Sequence, residues 1–196
     1  MTMLLTGHAV LGRGRIPRAY FIAAAALLAG CGGGGGSDSP SGGGGESPTA
    51  DVSPSISCAS LAGQTVGNVQ VTGAVPVAAT AEVPAYCKVS GTQVGTQHDI
   101  EVRLPDVWQR RFVQQGGGGF DGSIPPVGAK NVALAQHAVL TANNGGHHDP
   151  SGAVLLNNQA VVQLYAHTAI NVATKFGKAI AERYYAKTPS YSYYQG

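Results

Sequence analysis

Charge is scarce in this chain. Only 11% of its 196 residues are Asp, Glu, Lys or Arg, and the formal net charge is +2. So small an imbalance argues for neither nucleic acid nor a strongly acidic partner, and no basic patch interleaved with aromatics is present to bind one. Long apolar runs are missing too: the longest, Ala19 to Gly30, is too short to span a bilayer comfortably. No Lys-Ser or Lys-Thr follows the internal oligoglycine, which argues against a Walker-type phosphate loop. There is no His-x-x-x-His, and His147-His148-Asp149 has no third ligand cluster; adjacent residues on a turn splay their side chains, so no metal site is expected. The single tryptophan, Trp108, reads as a core or edge anchor.

The N-terminal stretch is organised for export. Arg13, Arg15 and Arg18 precede the apolar run and form the positive region of a signal peptide over residues 1–30. Leu28-Ala29-Gly30-Cys31 resembles the bacterial lipoprotein cleavage box, which implies lipidation of Cys31 and anchoring in the bacterial cell envelope. The Gly32 that follows, in place of aspartate, resembles outer-membrane sorting. Residues 31–55 are rich in Gly, Ser and Pro, bury little, and are expected to form a flexible tether. With Cys31 assigned to lipid, Cys58 and Cys87 remain in an exported chain. An even remainder suggests a disulfide, with two buried thiols as the alternative; a loop of about thirty residues closed this way is worth roughly 3 to 4 kcal/mol in the chain-entropy model.

The central feature is Arg111-Phe112-Val113-Gln114-Gln115 running into Gly116-Gly117-Gly118-Gly119 and then Phe120-Asp121-Gly122-Ser123. Glycine lets backbone N–H groups approach a ligand closely, and converging amides make a pocket for negative charge, a developing oxyanion among them. Oligoglycine also occurs as a linker, but here Phe112, Val113 and Phe120 hem it in, as in a packed loop. Before it, Ile100 to Leu104 alternates as a half-exposed strand should. After it, Ala129 to His137 has helical character, Ala138 to Ala142 reads as a short buried strand, and Asn143-Asn144-Gly145-Gly146 is a turn. Apolar residues at helical spacing from Asn158 to about Lys187 predict one long amphipathic helix. Pro189 ends it, and Tyr191 to Tyr194 begins another strand. Strand alternating with helix is the pattern of a parallel sheet in an α/β fold.

Cys58-Ala59-Ser60-Leu61, Val83-Pro84-Ala85-Tyr86-Cys87-Lys88-Val89, the glycine segment from Arg111 to Phe120, and Tyr184-Tyr185 with Tyr191 to Gly196 together resemble the tannase and feruloyl esterase family. The resemblance implies part of an α/β-hydrolase domain over residues 56–196: the N-terminal part of the sheet, an oxyanion loop and a long helix. It also implies a serine esterase acting on aromatic (feruloyl or galloyl) esters, with the amides of Gly117 and Gly118 as oxyanion donors worth roughly 3 to 4 kcal/mol each. The nucleophile of that family would fall just after Gly196, and the aspartate, the histidine and a lid with structural calcium would lie further on. The family shows Thr-Asp-Thr-Gly-His where this chain has Thr141-Ala142-Asn143-Asn144-Gly145-Gly146-His147.

No substitute triad is apparent. Gly-x-Ser-x-Gly is absent, and Ser123 and Ser151 lack that setting. His98, His137 and His167 read as surface or packing histidines, and His8 lies in the leader. The expectation is an N-terminal portion of an envelope-anchored ester hydrolase, inactive alone for want of the Ser, Asp and His. The alternative is an envelope lipoprotein that binds a phenolic ligand or an envelope partner without chemistry.

Overall fold

The computed structural model of the chain describes residues 50–127 and 132–196, so the expected signal peptide, Cys31, His8 and the tether up to residue 49 lie outside the described residues. Seven strands make one sheet: β1 (Thr65–Val66), β2 (Val69–Val77), β3 (Tyr86–Gln93), β4 (Asp99–Pro105), β5 (Arg111–Gln115), β6 (Val139–Asn143) and β7 (Tyr191–Gln195). Their order across the sheet is β1-β2-β3-β4-β6-β5-β7. The expected parallel arrangement is confined to β6-β5-β7; every other pairing is antiparallel. Connection length explains the difference. A parallel pair needs a long crossover, so β1 to β4, which follow one another through short links, pair antiparallel; β4 also pairs antiparallel with β6, across a connection that contains β5 and α1.

Among the described residues four α-helices accompany the sheet: α1 (Val132–Ala135), α2 (Val154–Asn157), α3 (Gln159–Gln163) and α4 (Ala169–Tyr185). The long helix predicted over Asn158 to Lys187 is interrupted by a π turn at Leu164–Thr168 and stops at Tyr185, where Ala186 adopts a left-handed φ of 54°. A π turn adds a residue to a helix without erasing its apolar face, so periodicity does not reveal it. Of the helix expected from Ala129, residues 129–131 lie outside the described ones. The remainder is the short α1, ended at His137 with φ 56°.

The main core lies between α4 and one sheet face: Val89, Ile100, Val102, Leu104, Trp108, Phe112 and Val139 meet Ala173, Phe176, Ile180 and Tyr184. On the other face Leu134 and Ala138 cover Leu140 and Tyr86. Both faces of β4 are therefore covered, and Arg103, expected on an exposed face, is only 2% exposed. Helix and sheet interlock through missing side chains. Phe176 Cζ would lie 2.8 Å from a Cβ on Gly91, and a Cβ on Gly177 would collide with Thr141 Oγ1 and sit 3.0 Å from the Phe112 ring.

The folded body begins earlier than the tether boundary at residue 55. Val52 exchanges backbone hydrogen bonds with Trp108 at 2.8 and 2.9 Å, and the amide and hydroxyl of Ser55 both donate to the Tyr184 carbonyl. An apolar side chain that can be buried against Trp108 outweighs the solubility of its polar neighbours. Trp108 stacks on Tyr185 with ring centroids 4.5 Å apart, and the Tyr185 hydroxyl donates to the Pro105 carbonyl at 2.6 Å. Cys58 and Cys87 are joined by a disulfide that ties the 3-10 turn Cys58–Leu61 to β3. At the opposite side of the sheet β7 is an edge strand, exposed at all five residues.

Gly177→Ala tests the helix–sheet contact. Alanine favours the helix by about 1 kcal/mol, yet overpacking against Thr141 and Phe112 costs about 1–3 kcal/mol. The variant is expected to lose up to about 2 kcal/mol net, measured as a lower urea midpoint with an unchanged slope.

Candidate active site

β5 delivers the glycine loop to the carboxyl ends of the parallel strands, where ligands of open α/β sheets bind. Gly116 donates its amide to the Gln195 carbonyl at 2.7 Å, which fixes the loop entrance to the end of β7. Gly116 has room for no side chain, since a Cβ would overlap the Tyr194 hydroxyl, and a Cβ on Gly117 would overlap the Asp121 carboxyl. Asp121 closes a tight turn by donating its amide to Gly118 O at 3.1 Å, with φ 47°. The amides of Gly117 and Gly118 donate to no partner among the described residues.

Three further segments hold the loop. Gly122 donates to the Asn144 carbonyl at 3.0 Å, joining it to the turn after β6. In that turn Asn143 Oδ1 accepts from Gly145 N and Asn144 Oδ1 from Gly146 N, so the two asparagines shape the backbone themselves. Tyr165, on the π turn, donates its hydroxyl to Gly119 O at 3.0 Å. Arg103, buried under the loop's exit, donates Nη2 to the Pro125 carbonyl at 2.7 Å while Nε donates to Glu101 at 2.6 Å.

Together these segments enclose a cavity of ≈ 270 Å³ walled by Gly117, Gly119, Asp121, Gly145, Tyr165 and Tyr194. A larger one, ≈ 590 Å³, lies between the β3–β4 turn and α2–α3, but none of its lining residues is ionisable. The smaller cavity is walled by the Gly117 backbone and the Asp121 carboxyl.

The histidines divide. His98 is fully buried with Nδ1 bonded to Gln93 Oε1, and burial lowers its pKa against the opposing pull of Asn143 and Asp99. His147 is fully buried and accepts a hydrogen bond on Nδ1 from Asp149 N. His148 points outward to pair with Asp99 at 2.8 Å. His137 contacts the Val107 carbonyl, and His167 is exposed on the π turn. Ser123 is exposed, and Ser151 donates to Asp149 Oδ1 at the start of α2, bonds that lower the Asp149 pKa. Among the described residues neither serine is hydrogen-bonded to a histidine, and no group of three or more His, Cys, Asp or Glu could hold a metal. Asp121, Tyr165 and Arg103 went unrecognised in the sequence. The one available signal was a carboxylate two residues past the glycines.

A mixed sheet whose strands run β4-β6-β5-β7, with helices packed on its faces and an open glycine loop after β5, is part of an α/β-hydrolase, the esterase type of fold. The family model described as tannase and feruloyl esterase matches residues 85–196, and the chain belongs to that family. It is 31% identical over 115 residues to a probable feruloyl esterase B-1 of Aspergillus fumigatus, covering 57% of this chain and 21% of that protein. It is also 31% identical over 126 residues to an uncharacterized esterase of Agrobacterium fabrum, covering 57% and 23%. The crystal structure of feruloyl esterase B from Aspergillus oryzae superposes with a TM-score of 0.58 at 25% identity, over 70% of this chain and 30% of that one. The chain thus spans about a fifth of the length of the curated relatives it matches.

Arg103→Met would remove the clamp on the loop exit and leave Glu101 unpaired. A loss of about 2–3 kcal/mol is expected, together with faster proteolysis within residues 116–127. His98 gives a pH signature. Its folded pKa lies below the unfolded value of about 6.5, so the unfolded state binds the proton more readily. Stability is complete above that pH and falls as the pH drops below it. A urea midpoint that declines from about pH 6.5 downward, with a shallower decline in His98→Gln, is expected.

Proposed function

We propose that these residues form the oxyanion-binding half of a carboxylic ester hydrolase acting on aromatic esters of the feruloyl or galloyl type. The observation that carries this is the glycine loop itself: its Gly117 and Gly118 amides take no partner among the described residues, and Gly116 anchors it to the end of β7 through Gln195 and Tyr194. An α/β-hydrolase places its nucleophile on a sharp turn from a strand into a helix, with the glycine-loop amides facing it; β7 is the strand positioned for that role. The cavity suits a planar acyl group, having bare backbone on one side and the rings of Tyr165 and Tyr194 on others. Support for the aromatic substrate comes from family membership and from the relatives named as feruloyl esterases.

Acyl transfer would begin with attack on the ester carbonyl and would accumulate negative charge on its oxygen. Amides held ready at that position stabilise the charge without reorganising. Among the described residues neither Ser123 nor Ser151 is hydrogen-bonded to a histidine, so neither has the partner that activates a serine nucleophile. We further propose that export and lipidation at Cys31 hold the domain in the bacterial envelope.

The purified 196-residue chain is expected to show no saturable turnover of methyl ferulate or methyl gallate, since an oxyanion site without an activated nucleophile keeps only a small part of an esterase's rate. Saturable turnover of either ester would overturn the proposed inactivity. Radiolabelled palmitate incorporation lost in Cys31→Ala would support the anchor, and unchanged incorporation would end it.

A further inference from the structure

Asp121 is an odd neighbour for an oxyanion site. Its carboxyl lies against Gly117, where a Cβ could not fit, and it lines the same cavity as Gly117, Gly145, Tyr165 and Tyr194. An ionised carboxylate there would repel the negative charge that the Gly117 amide is placed to attract, opposing a donor worth about 10²- to 10³-fold in rate. Nor is the position accidental. Asp121 adopts φ 47°, a conformation few non-glycine residues accept, and the hydrogen bond its amide donates to the Gly118 carbonyl locks the turn that lays the side chain against Gly117. Neither carboxyl oxygen takes a hydrogen bond from any described residue, although Tyr165 and Tyr194 line the same cavity.

We propose that Asp121 is a catalytic residue of this site, acting as a neutral carboxylic acid that donates its O–H to the substrate's carbonyl oxygen beside the Gly117 amide. This rests on the ester-hydrolase function proposed above. As the nucleophile adds to the carbonyl carbon, the C=O π pair moves onto the oxygen, and the resulting oxyanion accepts hydrogen bonds from the Gly117 amide and the Asp121 hydroxyl. The proton stays on Asp121, so the acid is not consumed. Burial raises the carboxyl's pKa, favouring the neutral form, and His147 alone is identified as pulling the other way. The titratable groups facing Asp121 are His147 from the turn after β6, Tyr165 from the π turn and Tyr194 from β7. A carboxylic acid kept neutral by its surroundings is an established kind of oxyanion donor.

The test uses the 196-residue chain and methyl ferulate labelled with ¹³C at the ester carbonyl. Calorimetry measures binding, and isotope-edited infrared difference spectroscopy follows the bound carbonyl stretch as the pH is raised from the ordinary aspartate value of about 3.9 into the alkaline range. The wild-type chain is expected to lower the carbonyl frequency at acid pH and to lose part of that shift as the pH rises. Asp121→Asn, which keeps a neutral donor of the same shape, should retain the shift at every pH; Asp121→Ala should lack the pH-dependent part. Circular dichroism establishes that each variant is folded. Binding without pH dependence, or an unchanged shift in Asp121→Ala, overturns the role of Asp121 while leaving the ester site intact. No saturable binding of methyl ferulate to the wild-type chain overturns the ester site, and the role of Asp121 with it.

Discussion

Backbone laid bare at two adjacent positions is the constraint on which the site depends. At Gly116 the space a Cβ would fill belongs to the Tyr194 hydroxyl, and at Gly117 it belongs to the Asp121 carboxyl. These are contacts between different parts of the chain: one neighbour comes from the far edge strand, the other from the loop itself. Glycine is thus required here for proximity as much as for conformation. A side chain at Gly116 would push the end of β7 away from the loop, and one at Gly117 would displace the Asp121 carboxyl.

The same device recurs on the scaffold. Gly177 lets α4 settle onto Thr141 and Phe112, and Gly91 opens the sheet to Phe176. Helix and sheet are keyed by complementary absences and bulks, which fixes how the middle of α4 sits on the sheet. The π turn at Leu164–Thr168 then joins α4 to α3 and places Tyr165 where its hydroxyl reaches Gly119. Packing some distance from the cavity therefore sets the position of one of its walls.

Much of this was legible in the sequence, and what was not shares a cause. The glycine loop between two apolar residues, the strand at Ile100 to Leu104 and the strand at Tyr191 to Tyr194 follow from local composition. Arg103 was misplaced because alternation in β4 says which residues share a face but not whether both faces are covered; here Leu134 and its neighbours close the second face. The π turn was hidden because Leu164, Phe176, Ile180 and Tyr184 keep a helical rhythm across it. Val52 joined the fold through one long-range bridge to Trp108, which the Ser and Pro around it gave no reason to expect. Asp121 and Tyr165 gained their significance only from residues distant in the chain.

The strand order carries a temporal consequence. β6 inserts between β4 and β5, so the two strands flanking the Trp108 segment are not neighbours and cannot zip together as they leave the ribosome. β5 acquires its first partner only after some two dozen further residues have been synthesised, and its second only after α4 has crossed the sheet. Pairings of such long sequence separation form late. The glycine corner is consequently among the last regions to take shape, and until then its apolar flanks Phe112 and Val113 are candidates for capture by a chaperone.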